Sequence, residues 1–266
     1  MTRGTCQKRA FTLLELLVVI GIIALLSTIG IGALRGFNAV NVVQAGNRQL
    51  LDDINRARNT AQNERTTVYM VFTPPLNTFL KTSLTNGLQL QAITNRFYGQ
   101  YNSYNFIEMR TPGDQPGRGK ARYLSEWKQL PNGVFIGTNE FTVLPPNIWL
   151  SQAALTNAAN PTKPDMPFVY LSLPFPTANS PKVLMPCIAF NYRGALMGPD
   201  EDKARNVDEI LVLTRGSMIL PRDPSERPQW GPTAIPEIIE TPRGNSTNNP
   251  YIRIDWITGR ARLEGV

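Results

Sequence analysis

The 266-residue chain contains no histidine and only two cysteines, Cys6 and Cys187, far apart in sequence. Without histidine there is no Ser-His-Asp or Cys-His nucleophile system, no zinc deaminase pattern and no His-containing zinc site. Acid is also scarce, with 20 Asp plus Glu against 27 Lys plus Arg, a net charge of +7 and a pI near 9.6. Three of those cations, Arg3, Lys8 and Arg9, lie in an acid-free stretch of ten residues; without it, 24 cations face 20 acids, +4 over the remaining 256 residues. An excess that mild describes a soluble surface better than a nucleic-acid footprint. Hydrophobic residues make up 42% of the chain, enough to bury a core.

What the chain does have is one long uncharged run. Residues 16–34 (LLVVIGIIALLSTIGIGAL) carry no charge and are bounded by Glu15 and Arg35. As a helix the run is about 28 Å long, close to the ~30 Å hydrocarbon layer of a bilayer. Three readings compete: a cleaved secretory signal, a permanent transmembrane anchor and a buried soluble helix. A helix apolar on every face needs protein all round it, and the far side of the run offers a weak small-residue cleavage site in Gly30-Ile31-Gly32-Ala33. Glu15 is awkward for a signal peptide. A carboxylate at that depth costs roughly 2.5–3.5 kcal/mol to insert, so it asks for a partner.

Beyond the run, Val40, Val43, Asn47, Leu50, Ile54, Ala57 and Ala61 recur at three- and four-residue steps, with Arg48, Asp52, Asp53, Asn55, Arg56 and Arg58 on the other face. This spacing predicts an amphipathic, core-facing helix. Gly30, Gly32, Gly36 and Gly46 each cost about 1 kcal/mol against alanine there, and a bend or local unwinding is expected between Gly30 and Gly36. Residues 66–73 read as a strand stopped by Pro74-Pro75. Further strands are expected at Val134–Ile136, 168–173, 210–213 and 218–220, and hairpin-like passages at 187–194 and 251–263, turning at Gly194 and at Thr258-Gly259. Residues 110–122 are turn-rich, while 161–186 and 221–250 hold seven prolines each; both are expected to be loops, edges or turns.

The stretch Lys8-Arg9-Ala10-Phe11-Thr12-Leu13-Leu14-Glu15, followed by the apolar helix, resembles the leader and N-terminal helix of type IV pilins and type II secretion pseudopilins. The resemblance implies cutting by a prepilin peptidase between Ala10 and Phe11 and N-methylation of Phe11. It also implies a role for Glu15 in subunit assembly, pairing with the N-terminal amine of a neighbouring subunit. Ala10 stands where the family usually has glycine. A carboxylate and an ammonium that must both leave water lose less free energy together than apart. The passage ARNTAQNERTTVYMVF and the two hairpin-like stretches resemble the GspH/FimT-like minor pseudopilins in particular.

The implied architecture is α+β. Residues 1–10 are the leader, 11–34 the transmembrane half of a long N-terminal helix, 35–65 its amphipathic half, and 66–266 a β-rich head with long loops on an antiparallel sheet. The implied function is a non-enzymatic minor subunit of a periplasmic or surface fibre serving type II secretion. Alternatives are a type IV pilus minor pilin acting in adhesion or DNA uptake, and a membrane-anchored binding module. A secreted hydrolase remains the third class. Expected partners are the prepilin peptidase, other pilin-like subunits, the inner membrane through a single span with the N-terminus cytoplasmic, and secreted cargo. No cofactor or metal is expected: the acidic stretch 198–202, with Asp208 and Glu209, lacks the EF-hand spacing and is flanked by Lys203 and Arg205. Arg253, Arg260 and Arg262, interleaved with Tyr251 and Trp256, form a candidate for weak nucleic-acid contact, although Asp255 and Glu264 reduce the local excess. Cys187, in an apolar strand, is expected to be a buried small hydrophobe.

Overall fold

The computed structural model describes residues 13–75, 99–111, 113–115, 119–141, 168–198, 207–227 and 236–265, excluding the side chains of 27–41 and 248. Ala10, Phe11 and the acidic residues 200–202 lie outside the described residues. The chain divides into two units, Met1–Asn41 and Val42–Val266. One helix, α1 (Leu13–Glu64), contributes to both. Its backbone stays helical across 30–36, so the unwinding expected from the glycines does not occur; the unbroken i to i−4 ladder outweighs a propensity cost of about 1 kcal/mol per glycine.

In the first unit, the side chains of Leu13 through Leu26 are exposed. Among the described residues, no helix is long and apolar enough to cross a membrane; the uncharged run continues into residues 27–41, whose side chains are not described.

The second unit is α+β. Its strands are β1 (Val68–Phe72), β2 (Ser103–Glu108), β3 (Arg122–Tyr123), β4 (Lys128–Gln129), β5 (Val134–Ile136), β6 (Val169–Pro174), β7 (Lys182–Phe190), β8 (Glu209–Ile219), β9 (Glu237–Glu240), β10 (Tyr251–Ile254) and β11 (Ala261–Glu264), with a short helix α2 (Asn245–Asn248). They form two antiparallel sheets, ordered β3-β2-β1-β7-β6 with β4 beside β2, and β11-β10-β8-β5 with β9 beside β8. Strand alternation divides the first sheet's side chains. Val68, Met70, Phe72, Tyr104, Phe106, Ile188 and Phe190 share one core with Val43, Leu50, Ile54, Ala57 and Ala61 of α1 and with Leu211, Leu213, Ile252 and Ile254 of the second sheet. Tyr69, Val71, Ile107, Met185, Cys187 and Ala189 form a second cluster on the other face. Cys187 is fully buried there. Gly46 lets α1 settle closely on the second sheet: a Cβ there would lie 3.2 Å from Val134 Cγ1 and 3.3 Å from Leu213 Cδ1.

Two sequence expectations are corrected, and the two proline-rich segments hold strands at sheet edges, β6 and β9, within the loops, edges or turns expected of them. Asp53, assigned to the solvent face of the helix, is buried: its Oδ2 accepts the Tyr104 hydroxyl at 2.7 Å, and its Oδ1 lies 2.5 Å from Lys128 Nζ. The proline-rich 161–186 contains β6 and most of β7. Pro186 pairs with Tyr170 of β6, while the β1 ladder ends at Val71 opposite Cys187; the missing N–H therefore falls where one neighbouring ladder has stopped. The proline-rich 221–250 likewise contains β9, paired with Gly216–Ile219. Finally, 210–213 and 218–220 belong to one strand, β8, which continues through Thr214–Ser217. β5 pairs with Leu213–Arg215 and β9 with Gly216–Ile219, and Asn245 adds to them: its Nδ2 donates to Arg215 O at 2.6 Å and its Oδ1 accepts from Arg215 N at 3.0 Å. Arg215 O also accepts the Thr241 backbone N–H at 2.9 Å, so a side-chain amide and a backbone amide together satisfy this residue.

Candidate functional site

Three places in the described residues carry chemistry. The first is the start of α1, where Glu15 lies in the first turn, the end of the helix macrodipole that favours a negative charge. The apolar side chains on either side of it are uncovered, from Leu13 at 83% to Val19 at 46% exposed. Each would gain about 1.5–3 kcal/mol from full burial, so the surface presented here calls for lipid or other apolar helices. Glu15, singled out for subunit assembly, is described; Ala10 and Phe11, singled out for processing, lie outside the described residues.

The second place is the C-terminal hairpin. Arg253 and Arg262 stand opposite each other on β10 and β11. Arg253 is engaged: its Nε lies 2.7 Å from Asp208 Oδ2 and its Nη1 3.7 Å from Glu264 Oε2. Asp208 also accepts from the Trp256 backbone N–H at 3.0 Å. Asp255 is held below its ordinary pKa by hydrogen bonds from Thr258, with Arg262 contributing further. Arg260 sits beside Arg58 of α1, which the sequence pattern had placed only on a polar helix face. Burial lowers the pKa of Arg58 first, and the Arg260 cation adds to it. The three arginines predicted as one patch are therefore divided: Arg253 is neutralised, Arg262 faces Asp255, and Arg260 joins Arg58.

The third place was not visible in the sequence. A cleft of about 260 Å³ lies between α1 and the β2–β3 ribbon, lined by Arg56, Thr60, Glu64, Phe106, Arg122 and Ser125, among others. At its end the Arg122 guanidinium holds two carboxylates, Glu108 at 2.7 Å and Glu64 at 3.1 Å. The Glu108 side chain is wholly buried, and burial raises its pKa, opposed by Arg122 and reinforced by Glu64. This triad ties the last residue of α1 to β2 and β3. No nucleophile stands in the cleft besides the hydroxyls of Thr60, Ser125 and Tyr123, and Ser125 Oγ donates to Asn105 Oδ1 at 2.7 Å. Among the described residues, no three His, Cys, Asp or Glu side chains are grouped to hold a metal ion.

In comparison with known proteins, residues 6–31 fit the family model of the prokaryotic N-terminal methylation motif. No curated protein and no solved structure matches the chain. The matched segment contains Ala10, Phe11, Glu15 and most of the uncharged run.

Proposed function

The methylation motif at residues 6–31 supports the type IV pilin-like and pseudopilin family for this chain; on that premise we propose that it is a non-enzymatic minor pseudopilin of the GspH/FimT-like kind. A prepilin peptidase cuts between Ala10 and Phe11 and methylates the new N-terminus. The processed helix then waits in the inner membrane as a single span, leader side in the cytoplasm and β-rich unit outside, in agreement with the three cations before the run. On extraction, the Glu15 carboxylate pairs with the N-terminal amine of a neighbour while the apolar faces of adjacent helices cover one another. Such a contact is heterologous and does not close, which is the geometry of a fibre. The fibre serves type II secretion.

The observation that carries this reading is the coincidence, within one matched segment, of a basic leader, Phe11, an acid four residues later and an uncharged run of nineteen. No part of it depends on an active site. Mass spectrometry of the mature chain from its native host tests it: the expected N-terminus is Phe11 with one added methyl group. A chain that keeps Met1, or one trimmed near Ala33, would overturn the processing and the family reading together. Loss of secretion with intact pili on deletion, as against the reverse, separates the secretion role from that of a type IV pilus minor pilin.

A further inference from the structure

Two turns meet beside the last turns of α1. The first, residues 191–195, follows β7; the Asn191 Oδ1 accepts from Arg193 N at 2.9 Å and Ala195 N at 3.0 Å. The second, residues 255–259, joins β10 to β11; the Asp255 Oδ1 accepts from Thr258 N at 2.6 Å and Thr258 Oγ1 at 2.7 Å. Helix α1 fastens both: Gln62 Nε2 donates to Arg193 O at 2.8 Å, and Arg58 Nε to Thr258 O at 2.6 Å. The turns also touch each other, since a Cβ on Gly259 would run into the carbonyl oxygen of Gly194, and Leu196 N donates to Trp256 O at 3.0 Å.

Loops clamped this thoroughly lose little entropy on binding. Yet each presents a large apolar side chain to solvent, Tyr192 at 53% and Ile257 at 59% exposed. Around them stand Arg58, Arg193 and Arg260, none ion-paired with an acid among the described residues. Asp255, in the second turn, is taken up by hydrogen bonds from Thr258, with Arg262 adding to the lowering of its pKa. Single exposed apolar residues are ordinary; an aromatic and an aliphatic on neighbouring rigid turns, rimmed by arginine, have the composition of a protein–protein contact centre.

The charge selects the occupant. A second processed copy of this chain is itself basic, with 24 Lys plus Arg against 20 Asp plus Glu after residues 1–10 are removed, and would bring the same arginine-rimmed turns to meet like with like. A single-stranded nucleic acid would need a free stacking face, but the Arg193 guanidinium already lies over the Tyr192 ring, 5.2 Å from its centroid, and Ile257 offers bases no π-face. We infer that the paired turns 191–195 and 255–259 are a docking surface for a carboxylate-bearing face of a different protein subunit in the same fibre. This rests on the fibre-subunit reading above, and it adds where the neighbour binds and which chemistry it brings.

The test is photo-cross-linking of the full chain in its native host, with p-benzoylphenylalanine at position 192 or 257 and, as a control, at exposed Ile219 on β8. The expected product at 192 and 257, and not at 219, is an adduct with another methylated pilin-like protein through a peptide rich in Asp and Glu. Its yield should fall at least tenfold when Arg58, Arg193 and Arg260 are all changed to Glu; the single variant Arg193→Glu, on an exposed turn, covers the case in which the triple variant does not fold. An adduct with nucleic acid, with a second copy of this chain, or with nothing in the folded protein would overturn the surface. The same spectra read the N-terminus: an unprocessed Phe11 would fault the leader reading, whereas a failed cross-link in a chain that begins at methylated Phe11 would fault the surface alone.

Discussion

At Asp53, an acid that helical spacing assigns to solvent is drawn inward by the partners the fold brings to it. Tyr104 and Lys128 come from β2 and β4, and Gln49 adds a 3.0 Å hydrogen bond to the Tyr104 hydroxyl. Changing Asp53 to Ala leaves a buried hydroxyl without its acceptor and Lys128 without its counter-ion; the expected loss is about 2–3 kcal/mol, measurable as a lower urea midpoint with an unchanged slope. Glu108 makes a different prediction. Burial holds its folded pKa above the ordinary carboxylate value, so between that value and the folded pKa the native state binds more protons than the unfolded state. Stability from this group is therefore fully present below its unfolded pKa and is lost as pH rises through the folded pKa. Thermal unfolding between pH 4 and 8 should show that decline in the parent chain and a flatter profile in Glu108→Gln, which keeps an acceptor for Arg122; an unchanged slope would refute the assignment to Glu108.

Among the elements, β8 shows how strands are completed by side chains. Strand β10 pairs with Glu209 through Val212 and β9 with Gly216 through Ile219; Arg215, lying between, has its N–H accepted by Asn245 Oδ1 and its carbonyl met by both Asn245 Nδ2 and the Thr241 N–H, and Asn249 Nδ2 donates to Leu213 O at 3.0 Å. Asn245→Ala should destabilise by about 1 kcal/mol, the loss of the hydrogen bond to the half-buried Arg215 N–H while its carbonyl keeps Thr241, and hydrogen exchange at the Arg215 amide should accelerate more than at Leu211. Legibility differed by element for similar reasons. The helix, β1, β5 and the turns at Gly194 and Gly259 were readable because periodicity and turn residues are local signals, and both glycines indeed have positive φ, 85° and 62°. Strand β2 was missed: Ser103, Asn105 and Glu108 dilute its alternation of Tyr104 and Phe106, and all six residues are buried by contacts the sequence does not announce. The proline-rich segments hold edge strands, as their composition implies, because a proline is compatible with a strand wherever the ladder on its N–H side has ended; which edge each one occupies is a tertiary fact.

For the whole molecule, the covered core of residues 42–266 contrasts with the uncovered apolar side chains of residues 13–26. Folding has satisfied the first and left the second for association. On the function proposed above, Glu15→Ala would separate insertion from assembly. The variant should enter the membrane and be processed as the parent is, because the apolar run is intact, but the fibre fraction recovered by shearing should fall sharply. Leaving a neighbour's amine unpaired in an apolar setting costs about 3–5 kcal/mol per contact. Equal fibre yield from parent and variant would remove Glu15 from the assembly mechanism.

The N-terminal methylation motif at residues 6–31, with Phe11, Glu15 and the start of the uncharged run inside it, is legible in the sequence alone, because such a motif is a contiguous pattern of residue types and lengths. The tertiary structure alone decided that Arg253 is neutralised by Asp208 while Arg260 stands beside Arg58, that Glu64 and Glu108 share Arg122, and that the turns 191–195 and 255–259 meet at one place. Those are encounters between residues up to 202 positions apart (Arg58 and Arg260). Electrostatic energy depends on distance through space, which a linear pattern does not contain.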